Sequence, residues 1–148
     1  MVNKNEELVE WDSKLECGIR LIDDQHKKLV ELVNDMYNHA TGNTVQEHDY
    51  FNSVIQQTVE YVKNHFTTEE KIMIITKFED YNTHKKEHDY FIINIVKNIR
   101  DYKEGNSLTL LAFTRYLKDW ILSHIAFVDK QYIEHLKKSP IIKLMKCQ

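Results

Sequence analysis

Eight histidines occur in the chain, and five of them interrupt rows of residues that are otherwise apolar. Residues recurring at alternating three- and four-residue spacing share one face of a helix. One such row reads Ile22, His26, Leu29, Val33, Met36, Ala40. A second reads Phe51, Ile55, Thr58, Val62, His65, Glu69, Ile72. A third reads Tyr81, His84, His88, Phe91, Ile95, and a fourth Leu110, Phe113, Leu117, Trp120, His124, Val128. A single core histidine is more often hydrogen-bonded than a metal ligand. A buried unpaired carboxylate such as Glu69 is costly, so such groups are paired or bound to metal. Four rows that each place a histidine where an apolar residue belongs point to a metal site in a bundle core, built from facing helices.

The elements that must bring these residues together are long helices. Glycine (3) and proline (1) are too scarce for an all-β chain with many tight turns. Helical periodicity runs through roughly 19–41, 45–76, 82–104 and 107–138. Gly42-Asn43 is a plausible stop for the first helix, and Gly105-Asn106 for the third. Asn82, Thr83 and Ser107 are candidate N-caps. Ser139-Pro140 ends the fourth helix. Short connections make consecutive helices antiparallel neighbours. The expectation is all-α: an up-down-up-down four-helix bundle forming a single domain over 1–148. The first eighteen residues read as an extended arm with Trp11 as its anchor. An apolar tail (Ile141, Ile142, Leu144, Met145) is able to dock on the bundle.

Depth along such a bundle is consistent with one site. His26 lies early in its helix, His65 and Glu69 late, His84 and His88 early, and His124 late. In antiparallel order these positions fall at one end. Asp129 is the untidy candidate. At about 100° per residue it points about 140° away from His124, in the neighbouring row Ile121, Ile125, Asp129, Tyr132. Either it reaches the site from the flank or a π-bulge turns it inward; the sequence leaves both open.

Composition narrows the function classes. A net charge of −3 gives no electrostatic footprint for nucleic acid or an anionic membrane. No apolar run is long enough to span a bilayer, and the polar first residues do not form a signal peptide. The two cysteines, Cys17 and Cys147, are not in a C-x-x-C pattern, which suits a reducing compartment and a cytoplasmic location. No protein partner is indicated.

The set His26, His65-x-x-x-Glu69, His84-x-x-x-His88 and His124-x-x-x-x-Asp129 resembles the hemerythrin ligand pattern. The strings around it agree: Ile22-Asp23-Asp24-Gln25-His26-Lys27-Lys28-Leu29, and His65-Phe66-Thr67-Thr68-Glu69-Glu70. The resemblance covers Trp11 to about Tyr132 and suggests the bacterial single-domain type. It implies two non-haem iron ions with an oxo or hydroxo bridge. One iron would take His84, His88 and His124, and the other His26 and His65, with Glu69 and Asp129 bridging them. It implies reversible dioxygen binding, as carrier, store or delivery protein, and not an enzyme. Imidazole and carboxylate suit non-haem iron. No Glu-x-x-His of the ferritin-like di-iron enzymes occurs.

Reversible binding needs a dry pocket. By the same resemblance its wall would include Leu29, Phe66, Trp120, Ile121 and Ile125. Tyr132 lies near the site, and Gln25 and Asp23 are candidates for orienting ligand histidines from behind. Other readings remain. His84-Lys85-Lys86-Glu87-His88 matches H-x-x-E-H, a zinc-protease signature in which Glu87 would be the base. A di-iron enzyme acting on peroxide or nitric oxide, or an oxygen- or iron-sensing module working through a partner, would use the same ligands. His39, His48 and His135 fit none of the ligand positions.

Overall fold

The computed structural model describes residues 6–105 and 108–140, with the side chains of Phe127 and Val128 excepted. The place of Val128 in its row, the Asn106 and Ser107 signals and the apolar tail at 141–145 therefore lie outside the described residues. Helix α1 spans Arg20–His39, α2 Thr44–Ile75, α3 Tyr81–Lys103 and α4 Leu110–Ser123. A π-helical turn, His124–Val128, joins α4 directly to α5, Asp129–Lys137, so the fourth rod of the bundle is continuous but not uniformly α. Helix α1 packs on α2 and α4, and α3 packs on the same two. That is the square, up-down-up-down arrangement of an all-α four-helix bundle, with no strand among the described residues.

The apolar rows meet where their spacing predicts. The main core cluster includes Leu29, Val33 and Met36 of α1, Phe51, Ile55 and Val62 of α2, Phe91 and Ile95 of α3, and Phe113 and Leu117 of α4. Phe51 and Phe113 meet edge to face, with centroids 5.2 Å apart, a favoured geometry for aromatic pairs. A second, smaller cluster closes one end: Ile19, Ile22, Ile72, Met73, Tyr132, Ile133 and Leu136. Two row members are less buried than expected. Tyr81 and Trp120 are half-buried, each packed against a core cluster from outside it.

Helix ends differ from the sequence signals in instructive ways. Asn43 caps the following helix: its side chain accepts the Gln46 N–H at 3.0 Å. Thr109 caps α4, accepting the Ala112 N–H at 3.0 Å. Asn82 and Thr83 are already inside α3, which starts after Asp80 without a side-chain cap bond. Helix α2 ends without glycine. Lys77 takes the left-handed conformation at φ 58°, and Phe78 N–H bonds Met73 O at 2.9 Å while Lys77 N–H bonds Ile74 O at 3.1 Å. These are the paired bonds of a Schellman stop, and Phe78 packs into the end cluster with Met73.

The described part of the N-terminal arm, residues 6–19, is non-helical and is not extended throughout, since it turns at residues 12–16, and Trp11 is not its deepest anchor. Val9 is buried in the core cluster, and Asn34 clamps its backbone by accepting Val9 N–H and donating to Val9 O, both at 2.9 Å. Trp11 packs partly against the same cluster, with the Lys27 ammonium 5.5 Å from its ring centre. Asp23 accepts the backbone N–H groups of Cys17 at 2.8 Å and Gly18 at 3.1 Å, fixing the turn into α1.

A β-carbon in the left-handed region costs about 1–2 kcal/mol. Lys77→Gly should therefore raise unfolding stability, by about 1 kcal/mol or somewhat less after glycine's own entropy cost. The expected readout is a higher urea midpoint at unchanged slope; a lower midpoint would show that the Lys77 side chain, not its backbone, matters at this stop.

Candidate metal centre

Seven side chains from four rods converge in one layer between the two apolar clusters. His26 comes from α1, His65 and Glu69 from α2, His84 and His88 from α3, His124 from the π turn and Asp129 from the start of α5. None is more than 3% exposed. His26 Nε2 lies 3.0 Å from Asp129 Oδ2. His84 Nε2 and His124 Nε2 lie 3.2 and 2.8 Å from Asp129 Oδ1. Glu69 Oε1 sits 2.9 Å from His65 Nε2, and 3.6 Å from the Nε2 atoms of both His88 and His124. The His88 and His124 Nε2 atoms approach to 3.0 Å.

These atoms sort into two groups with metal-ligand spacing. One is Glu69, His84, His88, His124 and Asp129; the other is His26, His65, Glu69 and Asp129. The groups share both carboxylates and differ in histidine number. The convergence is not a hydrogen-bond network. Both oxygens of Glu69 and of Asp129, and Nε2 of His26, His65 and His84, are buried without a hydrogen-bond partner. Buried polar atoms without partners are rare and call for an explanation. Transition-metal cations of borderline softness, taking imidazole nitrogen and carboxylate oxygen, supply one. The donor set fits a pair of non-haem irons.

Asp129 reaches the layer through the backbone. Its N–H bonds to His124 O, five residues back, where an α-helix would use four. The π turn widens that one turn, and the two side chains meet on the same face. π turns inside α-helices recur at functional sites. Of the two routes left open by the sequence, the bulge is the one taken.

Outer contacts fix two of the imidazoles. Gln25 Oε1 is 2.7 Å from His65 Nδ1, and Glu70 Oε2 is 2.8 Å from His88 Nδ1. Each bond leaves the proton on Nδ1 and turns Nε2 inward, as a ligand requires. Gln25 thus takes the orienting place suggested for it. Asp23 does not: its carboxylate is occupied by the turn before α1. Glu70 carries no periodic signal in the sequence: it stands one residue outside the α2 row, and its partner is eighteen residues away on α3. Only the proximity of α2 and α3 reveals it.

Aromatic and aliphatic groups wall the layer. Phe66 stacks on His88 with centroids 3.9 Å apart and planes 3° from parallel. Trp120, although half-buried, stacks on His124 at 4.5 Å. Leu29, Ile121 and Ile125 are buried in the same cluster as Phe66. On the opposite side Tyr132 is buried edge-on to His84 at 5.3 Å, its hydroxyl without a partner. A cleft of about 420 Å³ between α2 and α3 reaches Phe66, Glu70 and His88 from the surface. Glu87 is exposed and its histidine neighbours turn into the bundle, so the H-x-x-E-H string is not assembled as a zinc-protease site.

The charges of the layer depend on one another. Burial and the Asp129 charge raise Glu69, but His65 and His124 outweigh them and hold it at about 2. Burial likewise raises Asp129, and His124, His26 and His84 hold it well below the usual carboxylate range. Burial lowers His124, yet Asp129 and Glu69 carry it up to about 10. His88, where burial prevails over Glu69, falls to about 3. In the metal-free protein the carboxylates stabilise the fold above their ordinary values, and that is lost as pH falls through the lowered ones. His88 works in the same direction: below 6.5 the unfolded chain takes its proton first. His124 stabilises fully below 6.5, and its contribution is lost as pH rises toward about 10. Melting of chelator-treated protein should thus be highest near pH 6.5 and fall on both sides; a flat profile from pH 4 to 9 would contradict this charge arrangement.

The chain is similar to known proteins over most of its length. The family profile described as "Hemerythrin HHE cation binding domain" matches residues 17–136. A bacteriohemerythrin of Pseudomonas aeruginosa is 30% identical over 129 residues, covering 87% of this chain and 82% of that protein. A bacteriohemerythrin of Clostridium acetobutylicum is 30% identical over 126 residues, covering 84% and 98%. The myohemerythrin of Sipunculus nudus is 27% identical over 82% of this chain and 88% of its own. A crystal structure of wild-type hemerythrin superposes with a TM-score of 0.74 at 29% identity, covering 87% of this chain and 98% of that one. With the profile spanning every residue that contributes to the layer, the chain belongs to the hemerythrin family.

Proposed function

We propose that the chain binds dioxygen reversibly at a pair of non-haem irons bridged by an oxo or hydroxo group, as a carrier, store or delivery protein. Membership of the hemerythrin family, whose profile is described as a cation-binding domain, supports a binding role over an enzymatic one. The observation that carries the reading is the pair of overlapping ligand groups sharing Glu69 and Asp129. His84, His88 and His124 would hold one iron, and His26 and His65 the other, with both carboxylates bridging. When bound, the irons supply the electrons that dioxygen takes up and gives back.

The chain's own residues do the rest. Glu69 and Asp129 offset the metal charge inside the bundle. Gln25 and Glu70 hold two imidazoles with Nε2 inward. The two-histidine half has the fewer protein donors and is the half open to a small ligand. Leu29, Phe66, Trp120, Ile121 and Ile125 offer no acid or base, and their apolar wall keeps water and protons from the ligand. That wall supports binding over turnover. We also read the chain as one hemerythrin-like domain, since the family profile spans 17–136. No helix among the described residues is long and apolar enough to cross a membrane. The free thiol of Cys17 suits a cytoplasmic location.

Metal analysis should find about two irons per chain, one for each ligand group. A visible absorption band should fade on removing dioxygen and return on readmitting it. A colourless protein with a single zinc would overturn the proposal, and steady consumption of peroxide or nitric oxide would replace it with an enzyme. His124→Ala removes a ligand and the imidazole that most strongly holds Asp129 ionised. It should lower iron content or affinity by at least about tenfold and abolish the reversible band. Unaltered oxygen binding in that variant would overturn the ligand assignment.

A further inference from the structure

Each half of the ligand layer has one histidine anchored from outside, and the two anchors differ in charge. In the three-histidine half, His88 Nδ1 meets the Glu70 carboxylate at 2.8 Å. In the two-histidine half, His65 Nδ1 meets the Gln25 side-chain amide oxygen at 2.7 Å. The amide cannot turn its other end to the ring, because Gln25 Nε2 donates to Thr68 Oγ1 at 3.3 Å. Thr68 Oγ1 in turn donates to Asn64 O at 3.0 Å. His65 is therefore held by a neutral acceptor of fixed orientation, and His88 by an anionic one.

An ionised acceptor makes a hydrogen bond roughly twice as strong as a neutral one. Drawn toward a carboxylate, the Nδ1 proton leaves more electron density on Nε2, and the imidazole becomes the stronger metal donor. We propose that Gln25 and Glu70 are positioning residues that set unequal metal affinities in the two halves. Glu70 tightens the three-histidine half through His88, and Gln25 leaves the two-histidine half the weaker. That half then fills second and empties first. This rests on the reading of the layer as a two-metal centre. It adds that the inequality comes from outer contacts of this chain as well as from the count of ligands.

Titrating the full metal-free chain with cobalt(II), followed by its visible absorption and by chelator competition, tests this. Wild-type protein should bind about two cobalt ions per chain in two resolved steps, one for each ligand group. Glu70→Gln should weaken the tighter step by about tenfold and leave the weaker step in place. Gln25→Glu should tighten the weaker step by about tenfold and draw the steps together. A merely structural role would move both steps alike and lower the melting temperature of the metal-free variants. Two wild-type steps that neither substitution moves selectively would overturn the inference and leave the two-metal centre standing. Fewer than two cobalt ions on the wild-type chain would overturn the two-metal reading itself. Should Glu70→Gln fail to fold, an unmoved weaker step in Gln25→Glu still overturns the inference.

Discussion

The two carboxylates buried in one layer set the terms for the rest of the bundle. Glu69 and Asp129 are about 0% and 1% exposed, burial raises the proton affinity of both, and the Asp129 charge raises that of Glu69 further. An isolated buried charge costs several kcal/mol, and two in mutual contact would cost more. They coexist as ions because five imidazoles, delivered by four different rods, crowd against them at 2.8–3.6 Å. No single helix can supply that surrounding. The bundle must therefore form as a whole before the layer is tolerable. The apolar clusters on either side supply the driving force that the layer does not.

The π turn follows from the same constraint. The row Ile121, Ile125, Asp129, Tyr132 is buried along its length, so this rod presents a face too broad for uninterrupted α geometry to aim at one point. Regular α hydrogen bonding would send Asp129 to the flank of the site. Shifting the Asp129 N–H to His124 O gives up regular spacing in one turn and brings carboxylate and imidazole to 2.8 Å. The shift also sets the register of α5, whose Tyr132, Ile133 and Leu136 then seal the end of the bundle beyond the metal layer. The irregular turn serves two needs at once.

How much of this the sequence discloses depends on whether a feature has a period. The four rows have one, and His26, His65, Glu69, His84, His88 and His124 all lie in the buried layer their spacing predicts. Features set by a contact between helices have no such signal. Glu70 looks like a surface residue until α3 places His88 against it. Asp23 and Gln25, two residues apart, look alike as candidates; the arm claims one and His65 the other. The stop at Lys77 carries no glycine, because Phe78 packing against Met73 holds a conformation that lysine disfavours. In the arm, residue size misleads: Val9 goes deeper than Trp11 because Asn34 grips its backbone.

The placement of the cleft bears on how such a centre can be reached without being flooded. Its lining includes His88, Phe66 and Glu70 but neither His26 nor His65. This cleft therefore touches the half with five candidate donors, not the half with four. Water that arrived there would meet the stacked face of Phe66 on His88 and the half with the fewest positions to spare. Both histidines of the half with fewer donors are buried and lie off the cleft lining. A small apolar molecule crosses packed side chains more readily than water or a proton does, because it leaves no hydrogen bonds behind. A ligand bound for the half with fewer donors must therefore cross packed side chains, because the cleft stops at the other half.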